Sequence, residues 1–167
     1  MRRIAAFCLA LSAIAWADGG GGLKWTAPKT WKNDGQTRPM RAATYAVPNG
    51  GECVAYYFGQ GQGGSVEANI QRWAGQFRDA SGQPVKSAAT KKKSVHGLPV
   101  TTVDVSGAYA AAGGPMMAAQ PPKPGYRMLA AIVEGPQGSI FFKFTGPAKT
   151  VAANQKDLDA MVDSVTK

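Results

Sequence analysis

The stretch from Phe58 to Trp73, FGQGQGGSVEANIQRW, holds the residues of this chain best suited to meet a negative charge. Gly59, Gly61 and Gly64 fall at the G-x-G-x-x-G spacing of a dinucleotide-binding turn, where glycines let the backbone approach a pyrophosphate. That chemistry needs a parallel strand–helix–strand unit, with an acid roughly 20 residues on at the end of the second strand. Asp79 has about the right separation but sits in QFRDASG, at the tail of the helix that follows the glycines. The spacing therefore reads as a flexible strand-to-helix connection. A more general possibility survives: the amides of Gly63, Gly64 and Ser65 open a helix, where unpaired N–H groups and the helix dipole favour a carboxylate, phosphate or sulfate. Arg72 and Lys143 are the candidate cations to complete such a site.

Other chemistries find fewer residues. A hydrolase needs a base, and His96 is the only histidine; beside Gly97 in SVHGLPV it reads as a turn residue. No G-x-S-x-G elbow occurs, because Ser65 opens a helix as GGSVE. Zinc lacks ligands. The thioethers of Met116 and Met117 suit Cu(I), but with one imidazole in the chain they read instead as adaptable apolar surface for a partner. Glu52, Asp104 and Glu134 lie in strand-like runs, and glycosidase chemistry would require two of them to face one cleft. Asp104 alternates with Val103 and Val105, which predicts a solvent-facing side chain. No catalytic residue, metal or cofactor is expected, and an enzyme is unsupported.

The opening MRRIAAFCLALSAIAWADGGGG sets the compartment. Two arginines, an apolar run from Ile4 to Trp16 and small residues at Ala15 and Ala17 predict a signal peptide over residues 1–17, hence a secreted or periplasmic bacterial protein. The run falls short of the roughly 20 residues that span a bilayer, so no transmembrane segment is expected after cleavage. Cleavage removes Cys8 and leaves Cys53 without an intramolecular partner; within ECVAYYF it reads as a buried thiol. Removing Arg2 and Arg3 takes the net charge from +9 to +7. That balance favours a protein or other acidic surface as partner. The cations are scattered without interleaved aromatics, so nucleic acid is not expected. The one run, Lys91 to Lys93, reads as protection of an exposed sheet edge.

Residues 18–22 read as a flexible glycine linker and 23–167 as a single domain, large enough to bury its own core. Strands are predicted in LKWTAP, in MRAATYAVP and in ECVAYYF, the last two joined as a hairpin through Asn49-Gly50. Val66, Ile70, Trp73 and Phe77 recur at helical spacing. Two more strands flank His96-Gly97, and AAGGPMMAAQPPKPG reads as a long loop from Ala110 to Gly125. RMLAAIVEG and SIFFKFTG form a last hairpin before a helix from about Thr150 to Val165. The expectation is α+β, a mainly antiparallel sheet of about six or seven strands covered by two main helices.

The opening aromatic strand WTAPKTW, with Trp25 and Trp31, the helix VEANIQRWAGQF, and the late strand IFFKFTGP before a closing helix together resemble the PsbP-like fold family. That family includes the extrinsic oxygen-evolving subunit of photosystem II, a Ran-binding nuclear import factor and many secreted bacterial proteins of unknown role. The resemblance implies an antiparallel sheet covered by helices and a binding or accessory role rather than catalysis. No photosystem or Ran contact motif can be placed on this chain. Three function classes follow: a secreted binding or accessory module, a receptor for a small anionic ligand at the glycine turn, and a small hydrolase with an unrecognised site.

Overall fold

The computed structural model describes residues 17–110 and 121–167. Met116 and Met117 lie outside the described residues. The described residues open with a hairpin of β1 (Ala17–Gly20) and β2 (Leu23–Thr26). The main sheet then takes β3 (Lys32–Asn33), β4 (Arg41–Val47) and β5 (Gly51–Tyr57). After α1 (Val66–Ala74) come the short β6 (Phe77–Arg78), then β7 (Ala89–Val95) and β8 (Leu98–Tyr109). Finally β9 (Lys123–Gly135) and β10 (Gly138–Pro147) lead into α2 (Ala148–Ala153) and α3 (Gln155–Asp163). The sheet has eight strands in the order β3-β4-β5-β10-β9-β8-β6, with β7 pairing β8, and every pairing is antiparallel. This is the expected α+β arrangement. The turns follow the sequence signals: Asn49 and Gly50 both have positive φ (65° and 86°), as do His96 and Gly97 (48° and 79°), which suits tight hairpins.

Strand periodicity divides the core in two. Along β10, Ile140, Phe142 and Phe144 enter a large cluster with Trp25, Tyr45, Leu158 and Met161, covered by the β1–β2 hairpin, α2 and α3. Phe141 points to the opposite face and joins Trp73, Phe77, Met128 and Ile132 beneath α1. Cys53 is fully buried in β5, and burial pushes its thiol pKa up.

Several boundaries differ from the sequence reading, each for a local reason. The first helix stops at Ala74, where the Gly75 amide closes on the Gln71 carbonyl, and Phe77 reaches the core from β6 opposite Tyr109. The last helix is two, broken at Asn154, whose Nδ2 donates to the Thr150 carbonyl. Lys123 to Gly125 belong to β9 rather than to the long loop. Gly19 and Gly20 lie in β1, and Gly21 and Gly22 turn it into β2, because strand pairing uses backbone groups that glycine also has. A Cβ on Gly21 would fall 2.5 Å from the Tyr57 ring, so this run is shaped by packing. Asp18 anchors it by accepting from the Tyr45 hydroxyl at 2.6 Å, while Trp25 Nε1 donates to the same hydroxyl at 2.7 Å. Lys91 to Lys93 are exposed on β7, which pairs with β8 alone among the named strands, and Lys93 reaches Asp163 of α3. Among the described residues no helix is long and apolar enough to cross a membrane.

Candidate functional site

The two faces of the sheet are covered unequally. α1 spans nine residues and packs over Phe141, but the part of the same face built from β5, β9 and β10 farther along is left as a hollow of about 570 Å³. Its floor follows from alternation. Glu52, Val54 and Tyr56 share one side of β5, and the β10 register sets Lys143 opposite Val54 and Thr145 opposite Glu52. Tyr126 of β9, Tyr109 of β8 and Gln76, just past α1, form the far wall, and Arg41 of β4 and Lys123 close the sides.

Lys143 lies at the centre of this arrangement. Its ammonium donates to Gln76 Oε1 at 2.6 Å and to the Tyr109 hydroxyl at 3.4 Å, and sits 5.5 Å from the Tyr109 ring centroid. Both oxygens are neutral, and among the described residues no carboxylate pairs with it. An ammonium has three N–H donors, so one is left for an arriving oxygen. Burial lowers the Lys143 pKa to about 8, and the Arg72 guanidinium adds to the shift, against a weaker opposing pull from Glu52. Arg72 and Lys143 line one adjoining recess together with Tyr56, Phe58 and Gln76. Burial also raises the pKa values of Tyr56 and Tyr109, so both phenols keep their protons. Arg41 lies over the Tyr56 ring at 5.6 Å and Lys123 over Tyr126 at 5.8 Å, while Tyr109 and Tyr126 stack with centroids 5.9 Å apart. The result is a set of cations held on aromatic faces around a concave floor.

The glycine turn is a separate feature. Gly59, Gly61, Gly63 and Gly64 all have positive φ, and a Cβ on Gly63 would stand 2.9 Å from Phe141 and 3.0 Å from Phe58. The glycines thus let the chain turn tightly over the core before α1. The side chains there are engaged: Ser65 Oγ accepts from the Ala68 amide, and the buried Asn69 donates to the carbonyls of Gly63 and Ser65. Arg72 donates to Asn69 Oδ1. Gly64 and Ser65 line a hollow with Lys92, Lys93 and Glu134, whereas Arg72 and Lys143 line the recess beside the tyrosines. The expected anion set is therefore divided, with Phe141 bordering both parts. Among the described residues every pairing in the sheet is antiparallel, so the glycine turn does not sit in a parallel strand–helix–strand unit.

The remaining candidates are dispersed. His96 donates from Nδ1 to the Val165 carbonyl at 2.8 Å. Asp104 reaches solvent on the side its alternation predicted, half-exposed, and is also held by Arg127 through two bonds of 2.9 and 2.7 Å. That guanidinium also donates to Gln155, which ties β8 and β9 to α3. Glu52, Glu134 and Asp104 line three different hollows. Sequence reasoning found Lys143 but missed Arg41, Tyr56, Gln76, Tyr109, Lys123 and Tyr126. The available signal was the lysine inside IFFKF, a charge at mid-strand among aromatics, where the alternate face must be either open or built to receive it.

The eight-stranded antiparallel sheet with helices on both faces is a PsbP-like fold. The described chain is similar to the solution structure of cyanobacterial PsbP (CyanoP) from Synechocystis sp. PCC 6803, with a TM-score of 0.58, covering 96% of this chain and 97% of that one. Sequence identity is 13%, so the likeness is one of fold. No family model and no curated protein matches the chain.

Proposed function

We propose that this is an exported, non-catalytic binding protein that takes an anionic group of its ligand into the hollow around Lys143. The observation that carries the reading is the Lys143 ammonium, mostly withdrawn from water yet held by neutral oxygens alone, with Arg41, Arg72 and Lys123 nearby. Burying an unpaired charge costs stability, and a carboxylate arriving there would offset that cost. The PsbP-like fold supports an accessory role, and the positive net charge supports an acidic partner. Arg72 and Lys143 remain the ligand-binding cations of the sequence reading, here in the company of tyrosines instead of the Gly63–Ser65 amides.

The test uses proton linkage. An anion beside Lys143 favours the ammonium and raises its pKa, so binding takes up a proton wherever the free amine is partly neutral. Affinity for citrate or a glutamate-rich peptide, measured by calorimetry, is expected to be flat below about pH 8 and to fall by up to tenfold per unit above it. An affinity unchanged between about pH 7 and 9.5 sinks this assignment.

Export forms part of the same reading. Removal of residues 1–17 yields a protein that begins at Asp18, the residue hydrogen-bonded to Tyr45. Intact mass of the exported chain is expected to match that start; a mature species retaining Met1 contradicts it.

A further inference from the structure

Two unusual properties meet at Met40. It is the one large apolar side chain that stands exposed among the described residues, at 62%. It also has a positive φ of 63°. The other described non-glycine residues with positive φ are Asn49 and His96, types that visit this region more readily. Arg38-Pro39-Met40-Arg41 closes as a turn, with the Arg41 amide donating to the Arg38 carbonyl at 3.2 Å. Proline second and a positive φ third is the type II pattern, whose third position favours glycine. Methionine there is the costlier choice.

The turn is held firmly in that shape. The Arg38 guanidinium is engaged by Asp34, Gln36 and Thr44. Arg41 lies over Tyr56, and the Met40 carbonyl accepts from the Tyr57 amide at 3.0 Å. Surroundings that dictate a strained backbone are expected where the strain serves a function. Here they present an apolar side chain next to Arg41, a residue of the hollow.

We infer that the turn is a docking knob for an acidic protein segment, with Met40 meeting an apolar side chain of that segment while its carboxylates enter the hollow. The inference rests on the anion-binding reading. It goes further by making the partner a polypeptide, since a small anion would leave Met40 without a contact. Charge complementarity selects an acidic chain: Arg41, Arg72, Lys123 and Lys143 outnumber Glu52 around the floor. An unbranched thioether adapts to varied apolar surfaces, and a pre-ordered turn loses little freedom on binding.

Two synthetic peptides test this against the chain starting at Asp18: an all-glutamate peptide, and the same peptide with leucines interspersed. The leucine-bearing peptide is expected to bind about fivefold tighter, the effect of partly burying one apolar side chain. Met40→Gly is expected to erase that advantage, keep the all-glutamate affinity, and leave the melting temperature unchanged or higher. If the parent binds both peptides equally, or Met40→Gly retains the leucine preference, the docking inference falls while the anion-binding reading stands. If neither peptide nor citrate binds the parent, the anion-binding reading itself fails, and this one with it. Met40-dependent binding to anionic vesicles, with no peptide binding, also overturns the inference, in favour of a membrane surface.

Discussion

Lys143→Met is expected to make the protein more stable and unable to hold its ligand. The substitution keeps the aliphatic stem over the Val54 side of the floor and removes an ammonium whose charged form burial disfavours. A gain of about 1–3 kcal/mol near neutral pH is expected from removing that penalty. The sign with pH follows from linkage. The folded-state pKa, about 8, lies below the unfolded lysine value, so the unfolded chain binds more protons between the two. Parent stability therefore rises as pH climbs from about 8 toward about 10, and the advantage of the variant narrows over that window. Affinity for acidic peptide should drop about 10- to 100-fold, the range for losing a charged hydrogen bond. Denaturant melts at several pH values, paired with calorimetry, measure both effects. A variant that binds normally would place the anion elsewhere.

The largest loss of stability is expected from Trp73→Ala, at about 3–5 kcal/mol. The indole is 4% exposed, meets Phe141 edge-on with centroids 6.4 Å apart, and fastens α1 to the second core. Because α1 is a nine-residue helix, too short to be stable alone, its order depends on this contact. Loss of Trp73 should also loosen Gln76, which follows α1 and holds Lys143. A change below about 1 kcal/mol would mean that α1 is not fastened through this ring.

The opposite signs expected at Lys143 and Trp73 would separate the part of the face that holds the fold from the part that α1 leaves uncovered. The first part was legible in the sequence. Helical spacing from Val66 to Trp73 is a local pattern that predicted the correct core face, and the pairing of RMLAAIVEG with SIFFKFTG as a hairpin was also read locally. The hairpin turns at Asn49-Gly50 and His96-Gly97 were equally local. The hollow was not legible, because Arg41, Tyr56, Tyr109, Tyr126 and Lys143 come together only through the register of β4, β5, β10, β9 and β8. No spacing within a single segment encodes a concavity left where a short helix ends. β1 was missed for a different reason: glycines carry no polarity alternation, so their pairing with Lys24 and Leu23 leaves no trace in hydrophobic pattern. The break at Asn154 likewise interrupts a stripe that reads as continuous.

The position of Cys53 gives the protein an internal clock. In the chain that starts at Asp18 it is the sole thiol, and it lies in β5 between Tyr45 of β4 and Phe144 of β10. Its side chain belongs to the large cluster covered by the β1–β2 hairpin, α2 and α3, so a reagent reaches the sulfur only when that cover lifts or the sheet parts. The rate of thiol labelling under native conditions therefore counts openings of this core, and with fast reclosing it converts to the free energy of that opening. Glu52 and Val54, the neighbours of Cys53 in β5, face the hollow on the other side of the sheet. A substitution or added anion there that changes the count must therefore act through the strands, which separates a loosened sheet from a local change in the hollow.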